Sequence, residues 1–258
     1  TQREMDIAAS IQAVTEEIVL KIANYAHELT GAKNLTMAGG VALNCVANGR
    51  ILRESPFEQV WIQPAAGDAG GALGAALFTW HELLDQPREA NSQDSQFGSL
   101  LGPQYSNDEI KAYLESAEAV YQYYENDADL VDQIAELIAS EQVVGHFSDR
   151  AEFGPRALGS RSIMGDARSL KMQETMNLKI KFRESFRPFA PAVLREDVED
   201  YFEMRPDENS PYMLLVAPVA QSTRLPVTSS DEKGLDKLKQ VRSTIPAVTH
   251  VDYSARVQ

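Results

Sequence analysis

With one cysteine in 258 residues, Cys45, the chain has no internal disulfide, which suits a reducing, cytoplasmic compartment. No nucleophilic context surrounds Cys45, so a small packed residue is its better reading. Histidine is nearly as scarce. His27, His81, His146 and His250 form no HxxxH or other ligand spacing, and the chain alone offers no complete metal site. No apolar run approaches the roughly 20 residues that span a bilayer, and no charged leader precedes an apolar stretch. A membrane segment and a secretory signal are therefore not expected. Lysine and arginine number 24 against 38 acidic residues, a net charge of −14. Phosphate-backbone affinity needs a broad basic footprint, so a general nucleic-acid-binding surface is not expected.

Against that acidic background one stretch reverses sign. Arg150, Arg156, Arg161, Arg168, Lys171, Lys179, Lys181, Arg183 and Arg187 face only Asp149, Glu152, Asp166, Glu174 and Glu184. Phe153, Phe182, Phe186 and Phe189 are interleaved with them, and Pro155, Pro188 and Pro191 are foreign to a solvated helix face. Arginine forks match phosphate and carboxylate oxygens in pairs, and glycine lets backbone N–H groups approach closely. The composition predicts a shaped pocket for a small anion, with Arg156 and Arg161 on one wall and Lys181, Arg183 and Arg187 on the other. Salt-bridged helix faces are the plainer alternative.

Periodicity organises the rest into an α/β pattern. Ile7, Ile11, Val14, Ile18, Ile22, Tyr25 and Leu29 mark an amphipathic helix over 3–30, closed by Gly31. A strand at 35–38 opens on Gly39-Gly40, followed by a helix over 41–52. A second strand at 59–62 opens on Pro64 to Gly71, followed by a helix over 72–84. Ligands of such layers sit at the strand ends. Residues 85–106 read as a linker. Beyond it, helices are predicted near 107–117, 128–140 and 170–177, and strands at 120–124, 142–147, within 190–194, at 212–217 and at 247–251. A polar loop is expected over 220–234.

Each further candidate has a plain reading beside the functional one. Gly39 and Gly40 can expose N–H groups to a phosphate with Asn44 reaching a nucleotide, but an isolated glycine pair is more often a tight turn. Asp68 can ligate a metal or orient a hydroxyl, while a helix start is the usual place for such a carboxylate. His250, placed on the 247–251 strand, and Arg256 are structural unless a partner joins them.

Taken in order, GGVALN, PAAGDAGGALGAAL, EFGPRALGSRSI, KIKFRESFRPFAP and THVDYSARVQ resemble the O-carbamoyltransferases of the nodulation-protein-U and antibiotic-biosynthesis type. The likeness runs over nearly the whole chain. It implies a partial actin/Hsp70-like (ribonuclease-H-like) layer over 1–100, followed by a YrdC-like α/β domain over 101–258. It also implies ATP-dependent formation of carbamoyl-adenylate from carbamoyl phosphate, then carbamoyl transfer to a small hydroxyl acceptor. On that likeness Arg156, Arg161, Lys181, Arg183, Arg187, His250 and Arg256 surround carbamoyl phosphate and the phosphates of ATP with Mg. Gly39, Gly40 and Asn44 contact the adenylate, and Asp68 is one ligand of a divalent metal, Fe or Zn. The family's histidine metal ligands have no counterpart here. The chain is thus expected to be part of a protein roughly twice as long, able to activate but not to transfer. An oligomer is compatible with these features. The alternatives are a nucleotide-binding regulatory module without catalysis and a tRNA threonylcarbamoyl-type enzyme.

Overall fold

The computed structural model describes residues 1–89, 94–206, 208–227 and 234–258. Helix α1 (Gln2–Thr30) opens on a capping box formed by Thr1 and Glu4, and ends at Gly31 in the left-handed conformation that glycine tolerates best. Strands β1 (Asn34–Met37) and β2 (Gln59–Ile62) pair in parallel, with Leu35 opposite Val60 and Met37 opposite Ile62. Between them runs helix α2 (Cys45–Glu54), so the connection is a βαβ crossover. Helix α3 (Asp68–Phe78) follows the second glycine turn and passes into a π-helical turn at Thr79–Leu83.

The second part holds helices α4 (Asn107–Ser116) and α5 (Asp127–Ala139), each with a capping side chain, Ser106 and Asn126. Strand β3 (Val144–Phe147) pairs antiparallel with β4 (Arg161–Met164). A short helix α6 (Met172–Thr175) runs into a π-helical turn at Met176–Ile180, and helix α7 (Val198–Tyr201) is a single turn. Strands β5 (Leu215–Pro218) and β6 (Ser254–Val257) form the last antiparallel pair. Helices mixed with small two-stranded sheets make this an α/β protein.

Three predicted strands are not strands. Residues 120–124 carry no regular structure and pair with no strand among the described residues, and Val120 is fully exposed. β-propensity without a partner leaves backbone groups to water. Residues 190–194 are held to the chain's last residue by Val193 N–H to Gln258 O at 3.0 Å and Gln258 N–H to Pro191 O at 3.0 Å. Pro188 and Pro191 supply no further N–H donors. Residues 247–251 fall across two turns, closed by Val248 N–H to Ile245 O at 3.3 Å and Tyr253 N–H to His250 O at 3.1 Å, and Asp252 Oδ1 accepts the Ser254 N–H at 3.1 Å ahead of β6. Conversely, β4 and β6 lie in segments that carried no strand signal. In the expected linker, residues 90–93 lie outside the described residues, but Ser99 is fully buried and its carbonyl accepts the Phe153 N–H at 2.7 Å. In the expected 220–234 loop, residues 228–233 lie outside the described residues, while Gln221–Thr223 form a 3-10 turn.

The core is distributed. Ala42, Leu52, Ile62 and Ala66 pack with Leu214 and Leu215, so the β1–β2 layer and the start of β5 share one apolar cluster. Helix α2 crosses β5 there: Asn48 Nδ2 donates to Leu214 O at 3.0 Å and Arg53 Nη1 to Val216 O at 2.9 Å. A second cluster joins Phe202, Ala217, Val219, Ile245, Val248, Ala255 and Val257.

Helix α1 turns a different line inward from the predicted stripe. Val19, Ala23 and Ala26 meet the α2 layer, and Glu16 pairs with Arg50 at 3.1 Å. The stripe from Ile7 to Leu29 is exposed, and α3, apolar around most of its circumference, buries no residue. Because surface substitutions rarely exceed about 0.5 kcal/mol, Ile18→Glu should leave the urea midpoint of this chain nearly unchanged. A loss above about 2 kcal/mol would mean that the stripe is packed.

Candidate functional site

Two glycine turns and one arginine loop meet at the seam between the β1–β2 layer and β5–β6. Gly39, at φ 97°, takes a backbone shape other residues avoid, and its N–H donates to Ala66 O at 2.8 Å, tying the first turn to the second. The loop 152–160 crosses both. Its Gly154, at φ 134°, lies so close to the second turn that an added Cβ would stand 3.4 Å from the Ala65 methyl. Arg156 Nη2 donates to Leu43 O in the first turn at 2.9 Å.

Glu152 holds this loop from within. Its Oε1 accepts the N–H groups of Leu158 at 2.9 Å, Ser160 at 2.8 Å and Arg161 at 3.3 Å. Burial pushes its carboxyl pKa up, but the backbone donors outweigh burial and hold it below the usual carboxylate value. Sequence reasoning counted Glu152 only as one of the few anions among the cations. Its place at the head of EFGPRALG was the available signal.

Within this frame Arg156, Arg183 and His250 each come within electrostatic reach of Arg256. Burial, and then Arg256, lower the pKa of Arg156, which Cys45 offsets in part. Arg183 is lowered by burial, then by Arg187 and Arg256, against Glu184. His250 is lowered chiefly by burial; Asp252 opposes this and Arg256 adds to it. His250 Nδ1 lies 3.0 Å from Ser254 Oγ. Among the described residues, the buried atoms Arg156 Nε, His250 Nε2 and Arg256 Nε have no hydrogen-bond partner. Buried arginines that repel one another, and buried nitrogens left without partners, cost stability, and such strain is retained where an anion relieves it.

The other candidates are placed differently. Arg161 stacks on Phe147, with its Cζ 3.5 Å from the ring centroid, and donates to the carbonyls of Ser148, Asp149 and Ser160. Arg168 is engaged by Asp166, and Arg187, half-exposed, pairs with Glu184 at 2.8 Å. Lys181 is exposed beside this turn. Gly40 begins a 3-10 turn, and Asn44 caps α2 through Ala47 N–H at 3.1 Å while exchanging amide bonds with Gln12. Asp68 is the exposed first residue of α3, and among the described residues no group of three His, Cys, Asp or Glu side chains stands together. The donors for a metal centre are not assembled around it. A cavity of about 410 Å³ lies elsewhere, bordered by Gln173, Phe186 and Arg242. None of the converging cations lines it.

The same order of segments recurs in known proteins. A family model described as carbamoyltransferase N-terminus matches residues 1–77, and one described as carbamoyltransferase C-terminus matches residues 135–258. The chain belongs to the carbamoyltransferase family. It is 58% identical to the Synechocystis protein sll1178, over 100% of this chain and 42% of that protein. Identity is 40% with the nodulation protein NolNO of Sinorhizobium fredii and 37% with NolO of Bradyrhizobium diazoefficiens, again over 100% of this chain. Of those two proteins, 35% and 43% are covered. The chain thus spans less than half the length of these three relatives. The C-terminal match takes in the arginine loop, Arg183, His250 and Arg256, so all the converging side chains lie inside it. Among the described residues, no helix is long and apolar enough to cross a membrane.

Proposed function

We propose that this chain carries the carbamoyl-phosphate and ATP site of an O-carbamoyltransferase, which forms carbamoyl-adenylate and passes the carbamoyl group to a small hydroxyl acceptor. The observation that carries this reading is the set of unsatisfied buried nitrogens on Arg156, His250 and Arg256. A site that gathers two phosphate compounds must offset several like charges at once, and preorganised donors away from water do this most effectively. Arg183 and Arg187 border the same site, with Lys181 and Arg161 at its margin. Mg accompanies ATP and supplies further charge neutralisation when bound. Gly39, Gly40 and Asn44 remain candidates for the adenylate, and Asp68 for a divalent metal. Since the donors around Asp68 are incomplete, no step is assigned to that metal.

In this reading residues 1–100 form part of an actin/Hsp70-like layer and residues 101–258 a YrdC-like domain. The bare apolar surfaces of α1 and α3 support the first half, because a helix apolar around most of its girth normally belongs to an interior.

Titration calorimetry with carbamoyl phosphate tests the site. Binding is expected with proton uptake at neutral pH, because a bound anion raises the depressed His250 pKa. The folded-state pKa lies below the ordinary 6.5, so the unliganded chain gains stability as pH rises through that window and loses it as pH falls. Affinity for the anion should move the opposite way, increasing up to roughly tenfold per unit fall in pH while His250 titrates. His250→Gln should remove that increase. Absence of any carbamoyl phosphate binding at millimolar ligand would end the proposal.

A further inference from the structure

We infer that Asn177 is a positioning residue that fixes the direction of the Arg183 guanidinium; its role in substrate binding rests on the reading above. Asn177 lies in the π-helical turn Met176–Ile180, and its side chain is fully buried. Widened turns of this kind are frequent at functional sites because they re-aim a side chain. The amide has one acceptor oxygen and two donor hydrogens, and both ends are engaged. Its Oδ1 accepts from Arg183 Nε at 2.6 Å. Its Nδ2 donates to Ser185 O at 3.1 Å and to Arg187 O at 2.8 Å. The Asn177 backbone carbonyl also accepts the Arg183 N–H at 3.0 Å.

One buried amide therefore ties down the start, middle and end of the 183–187 turn. Arg183 is then held on two sides. Nε is bound to Asn177, and the guanidinium carbon stands 4.9 Å from the Phe189 ring centroid. Its two terminal nitrogens make no hydrogen bond among the described residues, which leaves a preorganised fork for two oxygens of one anion. Leucine at 177 would match the volume and none of the bonds. Aspartate would keep the acceptor but set a carboxylate against the Ser185 and Arg187 carbonyls.

The experiment combines NMR of the Arg183 Nε–H with carbamoyl phosphate titrations of the parent chain, Asn177→Ala, Arg183→Met and the double variant. The parent should show a slowly exchanging Nε–H that Asn177→Ala removes. Affinity should fall roughly tenfold in Asn177→Ala but no further when added to Arg183→Met, the non-additivity expected of coupled residues. A purely structural role would instead lower affinity equally in both backgrounds, and that result overturns the inference. So does an unprotected Nε–H in the parent. Should Asn177→Ala not fold, Arg183→Lys keeps the charge and deletes the Nε contact; the same tenfold loss is expected, and undiminished affinity counts against the role. If the parent fails to bind carbamoyl phosphate, the functional reading falls, and the Nε–H protection alone decides whether Asn177 orients Arg183.

Discussion

Arg256→Met should weaken carbamoyl phosphate binding by about 100-fold or more, the scale of losing charge-assisted hydrogen bonds in a screened site, without lowering the melting temperature of the unliganded chain. Methionine keeps the unbranched apolar stem, so the β6 backbone and its pairing with Val216 are preserved. What disappears is a cation whose buried Nε has no partner among the described residues and which depresses Arg156, Arg183 and His250. Removing it relieves repulsion among the cations, so stability of the unliganded chain should hold or rise while binding is lost. This opposition between stability and function is the signature of a site strained for its ligand. A second readout is independent of ligand: the His250 imidazole should titrate closer to its ordinary value, in part only, since burial is its first cause of depression. Affinity within twofold of the parent would remove Arg256 from the site.

Glu152→Ala carries the largest expected cost to stability. One carboxylate oxygen accepts three backbone N–H groups, and alanine leaves all three without that partner. At about 1–3 kcal/mol for each unsatisfied buried donor, and allowing water to reach some of them, a loss of about 3 kcal/mol is expected in urea unfolding. Glu152→Gln retains a neutral acceptor oxygen and should lose less. The pH dependence has a definite sign. The folded carboxyl pKa lies below its ordinary 4.5, so its contribution is present above that value and is lost as pH falls through the lowered one. The gap between parent and Glu152→Ala should therefore close in acid. A gap that persists unchanged to pH 2 would show that the charge on Glu152 is immaterial to the loop.

How much of this was legible beforehand depended on the range of the interaction. Helices α1, α4 and α5 follow from local spacing and caps, and the glycine turns follow from backbone shape at Gly39 and from the small residues around Ala65. Strands β4 and β6 were not legible, because RSIM and SARV become strands only when His146 and Val216 stand opposite them. The inward line of α1 was hidden for the same reason: both Ile18 and Val19 are apolar, and only the location of α2 selects between them. Arg161 and Arg183 looked equivalent in sequence. Phe147 and three carbonyls claim one, while Asn177 aims the other.

Residue order alone determined that an acidic chain concentrates cations, glycines and prolines in a few segments, and with them the family to which the chain belongs. Tertiary structure decided which of those cations meet. Arg156 and Arg256 are far apart along the chain, yet share one buried seam because β6 pairs with β5 and α2 crosses β5. Charge repulsion and desolvation act through space, and their balance is set only when distant strands have closed around the same volume.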